Sequence, residues 1–253
     1  MTKSILAAGL LVLAFGPGCD EAEFTKVVVS GQVTKTLDPA SNTASVLIGT
    51  ATLANLFLET PDPGDSTFWE DDPFPASVTP MAGADVRVNG GTVGQRLPGA
   101  YFAVLDLQHL APYQLVIETP EGESITARGF LPDSFSIAGP AAGDTLHRDS
   151  VVAVWTRSDS AETYLVGVTP PDSTAPGWAD GTTDTTIAVP AAAFEDTLGN
   201  VVPGTYLLSV TAINGDWRKS GLDLLFSGGN LTGDAVGTFG CAVLSRPVAF
   251  VVQ

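Results

Sequence analysis

Two consecutive antiparallel β-sandwich domains behind a cleaved leader, an all-β class, is the fold this sequence predicts. Three observations predict it. Hydrophobic residues make up 44% of the 253 residues, enough to fold, while only 15% are charged and Gly (27) and Pro (18) abound. That balance suits short strands joined by turns better than helices rich in Ala, Glu and Lys. Apolar and polar residues alternate with period 2 in many short segments, and turn residues separate those segments at roughly 8–12-residue intervals. The length is ample for two cores.

In chain order, Lys3 is followed by Ile5–Phe15, an uncharged run of eleven residues. This fits the hydrophobic region of a signal peptide and falls well short of the about 20 residues a spanning helix needs. Gly16-Pro17-Gly18-Cys19 closes it. This tetrapeptide resembles the lipobox of bacterial lipoproteins, with Gly18 as the small residue before the cysteine; Gly16 and Pro17 depart from the usual pattern. The resemblance implies residues 1–18 as signal peptide and a covalent lipid on Cys19. Residues 19–23, which include Asp20, Glu21 and Glu23, then form a short acidic tether. An acidic residue at that place is compatible with inner-membrane retention or with surface export, so the membrane and its face stay open.

Residues 24–132 read as the first sandwich. Val27–Thr34 is β-branched and strand-like, and Ser45–Leu58 suits one long or two shorter strands. Ala84–Val88, Tyr101–Leu105, Tyr113–Thr119 and Ser124–Ala127 follow between Pro-Gly and Glu-Gly turns. Ser30-Gly31-Gln32-Val33, Met81-Ala82-Gly83-Ala84-Asp85-Val86, Tyr101 and Leu110–Ile117 together resemble the carboxypeptidase-regulatory, transthyretin-like domain. That family is mostly accessory, so the resemblance implies a fold and a spacing or orienting role, not an activity. Glu59–Pro80 interrupts the strands with five prolines, the acids Asp62, Asp65, Glu70, Asp71 and Asp72, and the aromatics Phe68, Trp69 and Phe74. Rigid aromatics on a stiffened loop make good partner contacts, and they equally well pin such a loop onto its own sandwich.

Residues 133–253 read as the second sandwich. Val151, Ala153 and Trp155 share one face, as do Tyr164, Val166 and Val168 on the next strand, with Ile187 and Val189 on a third. Pro203–Asn214 is the cleanest strand, with an inward stripe of Tyr206, Leu208, Val210 and Ala212. These residues resemble a fibronectin type III or immunoglobulin-like sandwich, with Trp155 as the early core tryptophan and Pro203–Tyr206 as its tyrosine corner. A long insertion, Gly215–Gly240, delays the last strand, expected within Val243–Val252. It carries Trp217, a further candidate contact residue, in the basic Trp217-Arg218-Lys219. The whole chain resembles bacterial two-domain surface lipoproteins that have no established activity and are often encoded beside outer-membrane receptors.

Charge narrows the partners. The formal net charge is −17, and loss of the leader with Lys3 leaves 28 acids against 10 bases, or −18. Such a surface repels nucleic acid and anionic headgroups, so contact with the membrane is expected through the lipid alone. Catalytic sets are scarce. Gly64-Asp65-Ser66 with Asp106-Leu107-Gln108-His109 resembles the blocks of one esterase class, making Ser66 its only nucleophile, but that class is α/β and spaces the blocks differently. His109 and His147 are the only histidines, too few for zinc. Calcium on Asp62, Asp65, Glu70, Asp71 and Asp72 is the weaker cofactor expectation, against simple solvation. Cys241, flanked by apolar residues, reads as a small buried hydrophobe. The sequence therefore predicts a non-enzymatic, lipid-anchored envelope protein that binds an envelope protein or glycan through its loops, or a plain spacer; it is silent on oligomeric state.

Overall fold

The computed structural model describes residues 25–37, 42–52, 78–172, 175–215 and 230–253. The leader, Cys19, the tether, Ser66, the five candidate calcium ligands, Phe68, Trp69, Phe74 and Trp217 lie outside the described residues.

Nine strands come first: β1 (Thr25–Thr36), β2 (Thr43–Thr52), β3 (Thr79–Pro80), β4 (Asp85–Val88), β5 (Gly91–Thr92), β6 (Gly94–Leu97), β7 (Ala100–Val104), β8 (Pro112–Glu118) and β9 (Ser124–Phe130). Seven follow before the long connection: β10 (Ile137–Gly139), β11 (Thr145–Leu146), β12 (Val152–Trp155), β13 (Thr163–Thr169), β14 (Trp178–Thr182), β15 (Thr186–Ala188) and β16 (Gly204–Asn214). After it come β17 (Leu231–Thr232), β18 (Ala235–Leu244) and β19 (Val248–Val252). The all-β class expected from composition and period is the class observed.

Period-2 alternation explains the layers. In β1, Val27, Val29 and Val33 are buried while Ser30 and Gln32 face outward. The first sandwich sets β6, β7, β2, β1 and β18 against β5, β4, β8, β9 and β17. Leu115, Ile117, Ile125 and Phe239 fill the space between, all with essentially no exposure. The second sandwich sets β10, β12 and β15 against β14, β13, β16 and β19. Trp155 from one layer meets Tyr164 from the other at a ring-centroid distance of 5.3 Å. Pairing of β10 with β12 and of β12 with β15 in one layer, and of β16 with β13 and β19 in the other, is the Greek-key arrangement of immunoglobulin-like sandwiches.

Tyr206 is fully buried, and its hydroxyl donates to the Val202 carbonyl at 2.8 Å. A core ring with its hydroxyl tied to backbone four residues upstream is the tyrosine corner expected there. Phe194 and Phe250 pack around that ring, Phe194 edge-on at 5.0 Å.

The sandwiches are joined by more than a linker. The end of the chain, expected to supply one closing strand over Val243–Val252, supplies two. β18 pairs in parallel with β1 from Val27↔Ala235 to Thr36↔Leu244. Its last four residues, Cys241–Leu244, also pair with β16 of the second sandwich. A single sheet therefore crosses the expected boundary at residues 132 and 133. β17 adds to the opposite layer of the first sandwich, with Leu231↔Ala127 and Thr232↔Thr126. Much of the anticipated insertion, from Leu231 onward, is thus strand in the first sandwich. The physical reason is side-chain shape: Phe239 fits where Gly31 and Gly129 leave room, since a Cβ on Gly31 would stand 3.0 Å from the ring. Two pairings are parallel rather than antiparallel, β1 with β18 and β11 with β19.

Candidate functional site

The seam between the sandwiches is held by polar side chains satisfying backbone groups at strand ends. Asn214 ends β16; its Oδ1 accepts from the Phe130 amide at 2.8 Å, and its Nδ2 donates to the Ser160 carbonyl at 2.9 Å. One side chain thereby ties the first sandwich to the second. Glu162 accepts from Asn214 Nδ2 and from the Gly215 amide, both at 3.2 Å. On the other side, Asn230 Nδ2 donates to the Phe239 carbonyl at 2.6 Å and its Oδ1 accepts from the Phe239 amide at 2.8 Å. The Asn230 amide therefore takes the place of a neighbouring strand at the edge of β18, where β16 has ended. That use occupies Asn230, the first residue of an Asn-Leu-Thr glycosylation pattern.

Beside this seam, on the outer face of the shared sheet, lies a cleft of about 230 Å³. Its polar lining is Ser30 and Gln32 of β1 and Thr238 of β18; Leu165 and Ile213 form aliphatic walls, and Gly215 and Gly240 leave the floor open. Register explains the grouping, because Ser30 stands opposite Thr238 and Gln32 opposite Gly240. Gly215 is required: it has φ +123°, and a Cβ there would come within 2.9 Å of Gly240 Cα. Among the described residues, none that is charged lines the cleft, although the protein is strongly acidic. Among the described residues, the side chains of Ser30, Gln32 and Thr238 have no hydrogen-bond partner, so their donors and acceptors face solvent.

This arrangement can recognise an uncharged, hydrogen-bonding ligand with an aliphatic portion. Among the described residues, no histidine, cysteine or carboxylate lines it, so they bring no nucleophile–base pair there. His109 of the esterase-like block sits elsewhere and spends its Nδ1 on the Pro132 carbonyl at 3.0 Å. An orienting carboxylate would need that nitrogen, so Asp106 does not act on His109 as the acid of a triad. Among the described residues no three His, Cys, Asp or Glu side chains group as metal ligands.

Other residues singled out from the sequence prove structural. The Tyr101 hydroxyl accepts from the Ala84 amide at 3.0 Å and donates to the Met81 carbonyl at 3.2 Å, fastening the segment before β4. Tyr113 accepts from the Gln108 amide at 2.8 Å, and burial raises its phenol pKa. Trp155 is core. Cys241 is fully buried and burial pushes its thiol up to about 12, which makes it the inert small hydrophobe expected. Asn214, Asn230 and Glu162 carried no sequence signal beyond their places at strand ends and in a Gly-rich connection.

No family model matches the chain, and no curated protein matches it. Among solved structures, it is similar to Clostridium thermocellum CbhA fibronectin(III)-like modules, at 10% identity over 90% of this chain and 92% of that one, with a TM-score of 0.22. So low a score carries no weight for function, and the sandwich assignment rests on the strand pairing.

Proposed function

We propose that the chain is a non-enzymatic, lipid-anchored cell-envelope protein that holds a binding surface at the membrane for an envelope protein partner. Lipid on Cys19 provides the anchor, and an outer-membrane receptor is the class of partner that the surface-lipoprotein resemblance suggests. The observation that carries the binding reading is the seam cleft. Its lining among the described residues is uncharged on an acidic protein and bears three unpaired polar side chains, and it lies where β16 ends at Asn214 and beside β18. Unpaired hydroxyl and amide groups between aliphatic walls suit peptide groups and apolar side chains of a partner better than sugar rings, which favour aromatic platforms. Phe68, Trp69, Phe74 and Trp217 are the further candidate contacts of this reading.

A photo-crosslinking residue at Leu165 tests binding in intact cells. One defined envelope protein should be captured there and not from Leu198, an exposed control at 84% accessibility. Adding Gln32→Arg, which fills the cleft, should abolish the adduct. Identical capture from both positions, or an adduct indifferent to Gln32→Arg, would refute the cleft as the contact. Anchoring is tested separately by Cys19→Ser, which should release the protein from the membrane fraction.

A further inference from the structure

β1 occupies a mechanically distinctive place. It is an internal strand, paired with β2 from Thr25↔Thr52 to Thr34↔Thr43 and with β18 from Val27↔Ala235 to Thr36↔Leu244. Its first residue is six positions after Cys19. β18 and β19 are collinear: β16 pairs with Cys241–Leu244 through Asn214–Thr211, then with Val248–Val252 through Leu208–Gly204. Ser245 bridges the interruption, its amide donating to the Val210 carbonyl at 2.8 Å and its Oγ accepting from the Val210 amide at 2.9 Å. The run from Ala235 to Val252 therefore crosses both sandwiches in one direction, parallel to β1. At about 3.3 Å per residue it is roughly 55–60 Å long.

Opposed pulls on the start of β1 and on the second sandwich act along these strands. In that direction the ladder bonds between β1 and β18 carry load together, in shear. A pull that parts the same two strands from one end breaks them in succession. We propose that the fold is a load-bearing connector, with the β1–β18 ladder as the clamp between the membrane anchor ahead of β1 and the second sandwich. The physiological direction of load rests on the Cys19 anchoring proposed above. Two features reinforce the clamp. The Asn230 amide secures Phe239 on the far edge of β18. At Gly237 the backbones run so close that a Cβ would overlap the Val29 carbonyl oxygen at 1.8 Å.

Single-molecule pulling on the full chain tests this, with Cys19→Ser and Asp234→Cys present throughout. One handle is a tag at the chain start; the other is a tag after Gln253 or the thiol at position 234, blocked in the first geometry. Pulling through the end of the chain loads the ladder in shear, whereas pulling through residue 234 opens it from one end. Rupture force at equal loading rate should be several-fold higher in the first geometry, because forced unfolding reports the barrier along the pulled direction. Equal forces, or a higher force at residue 234, would overturn the clamp. If force is directional but Cys19→Ser leaves membrane partitioning unchanged, the anchor reading fails and the physiological load direction with it. If anchoring holds and forces are equal, only the load-bearing inference fails.

Discussion

Replacing Phe239 by alanine should weaken both sandwiches at once. The ring comes from the last tenth or so of the chain yet is wholly buried in the first sandwich. Its neighbours cannot collapse easily into the space, because two of them, Gly31 and Gly129, have no side chain to move. Losing about 100 Å³ of ring at ~24 cal/mol per Å³ of residual cavity costs roughly 2 kcal/mol. Lost transfer free energy adds about 2 kcal/mol more. The total, about 4 kcal/mol, lies within the usual range for Phe→Ala and is a large share of a typical domain's about 5–15 kcal/mol. Urea unfolding should be followed by two probes: fluorescence in a Trp69→Phe, Trp217→Phe background, which leaves Trp155 and Trp178 in the second sandwich, and methyl NMR signals of Val27, Val29 and Val33 in the first. Both should move to the same lower midpoint. If the valine signals keep the parent midpoint, or the cost is below about 1 kcal/mol, the first sandwich does not depend on β18 and the reasoning fails.

Two further outcomes follow from single side chains. Asn230→Ala leaves the Phe239 amide and carbonyl without their partner and should cost about 1–3 kcal/mol in the same urea assay, with the fold's circular dichroism retained. Cys241 should resist thiol reagents near pH 8 in folded Cys19→Ser protein and react on unfolding. Its thiol is raised from 9.0 to about 12 by burial, so between those values the unfolded chain holds fewer protons than the folded one. Stability should therefore fall as pH rises from about 9 to about 12, and Cys241→Ala should remove that part of the alkaline loss.

Strand positions were legible from sequence wherever burial is one-sided. Tyr206, Leu208, Val210 and Ala212 announce β16 because a half-buried strand must alternate. The tyrosine corner was legible too, since a turn and a core tyrosine define it locally. Pairing between distant segments was not. Nothing in Ala235–Leu244 says that it lies beside β1 rather than within the second sandwich, because its apolar positions suit either layer. Glycine hid the answer further. Gly237 and Gly240 fall within the span that reads as an insertion, whereas both lie in strand, Gly237 because the Val29 carbonyl leaves no room for a Cβ. The cleft escaped for the same reason. Ser30 and Gln32 look like ordinary outward residues until the register with β18 sets Thr238 and Gly240 beside them. The candidate contacts Trp69 and Trp217 lie outside the described residues.

Native-state hydrogen exchange on the full chain tests most directly whether the shared sheet makes the two sandwiches one cooperative body. Amides of β1 and β2 should exchange by the same global opening as those of β13 and β16, with equal opening free energies and equal denaturant dependence. An opening of β1 and β2 several kcal/mol below that of β16, insensitive to denaturant, would contradict it.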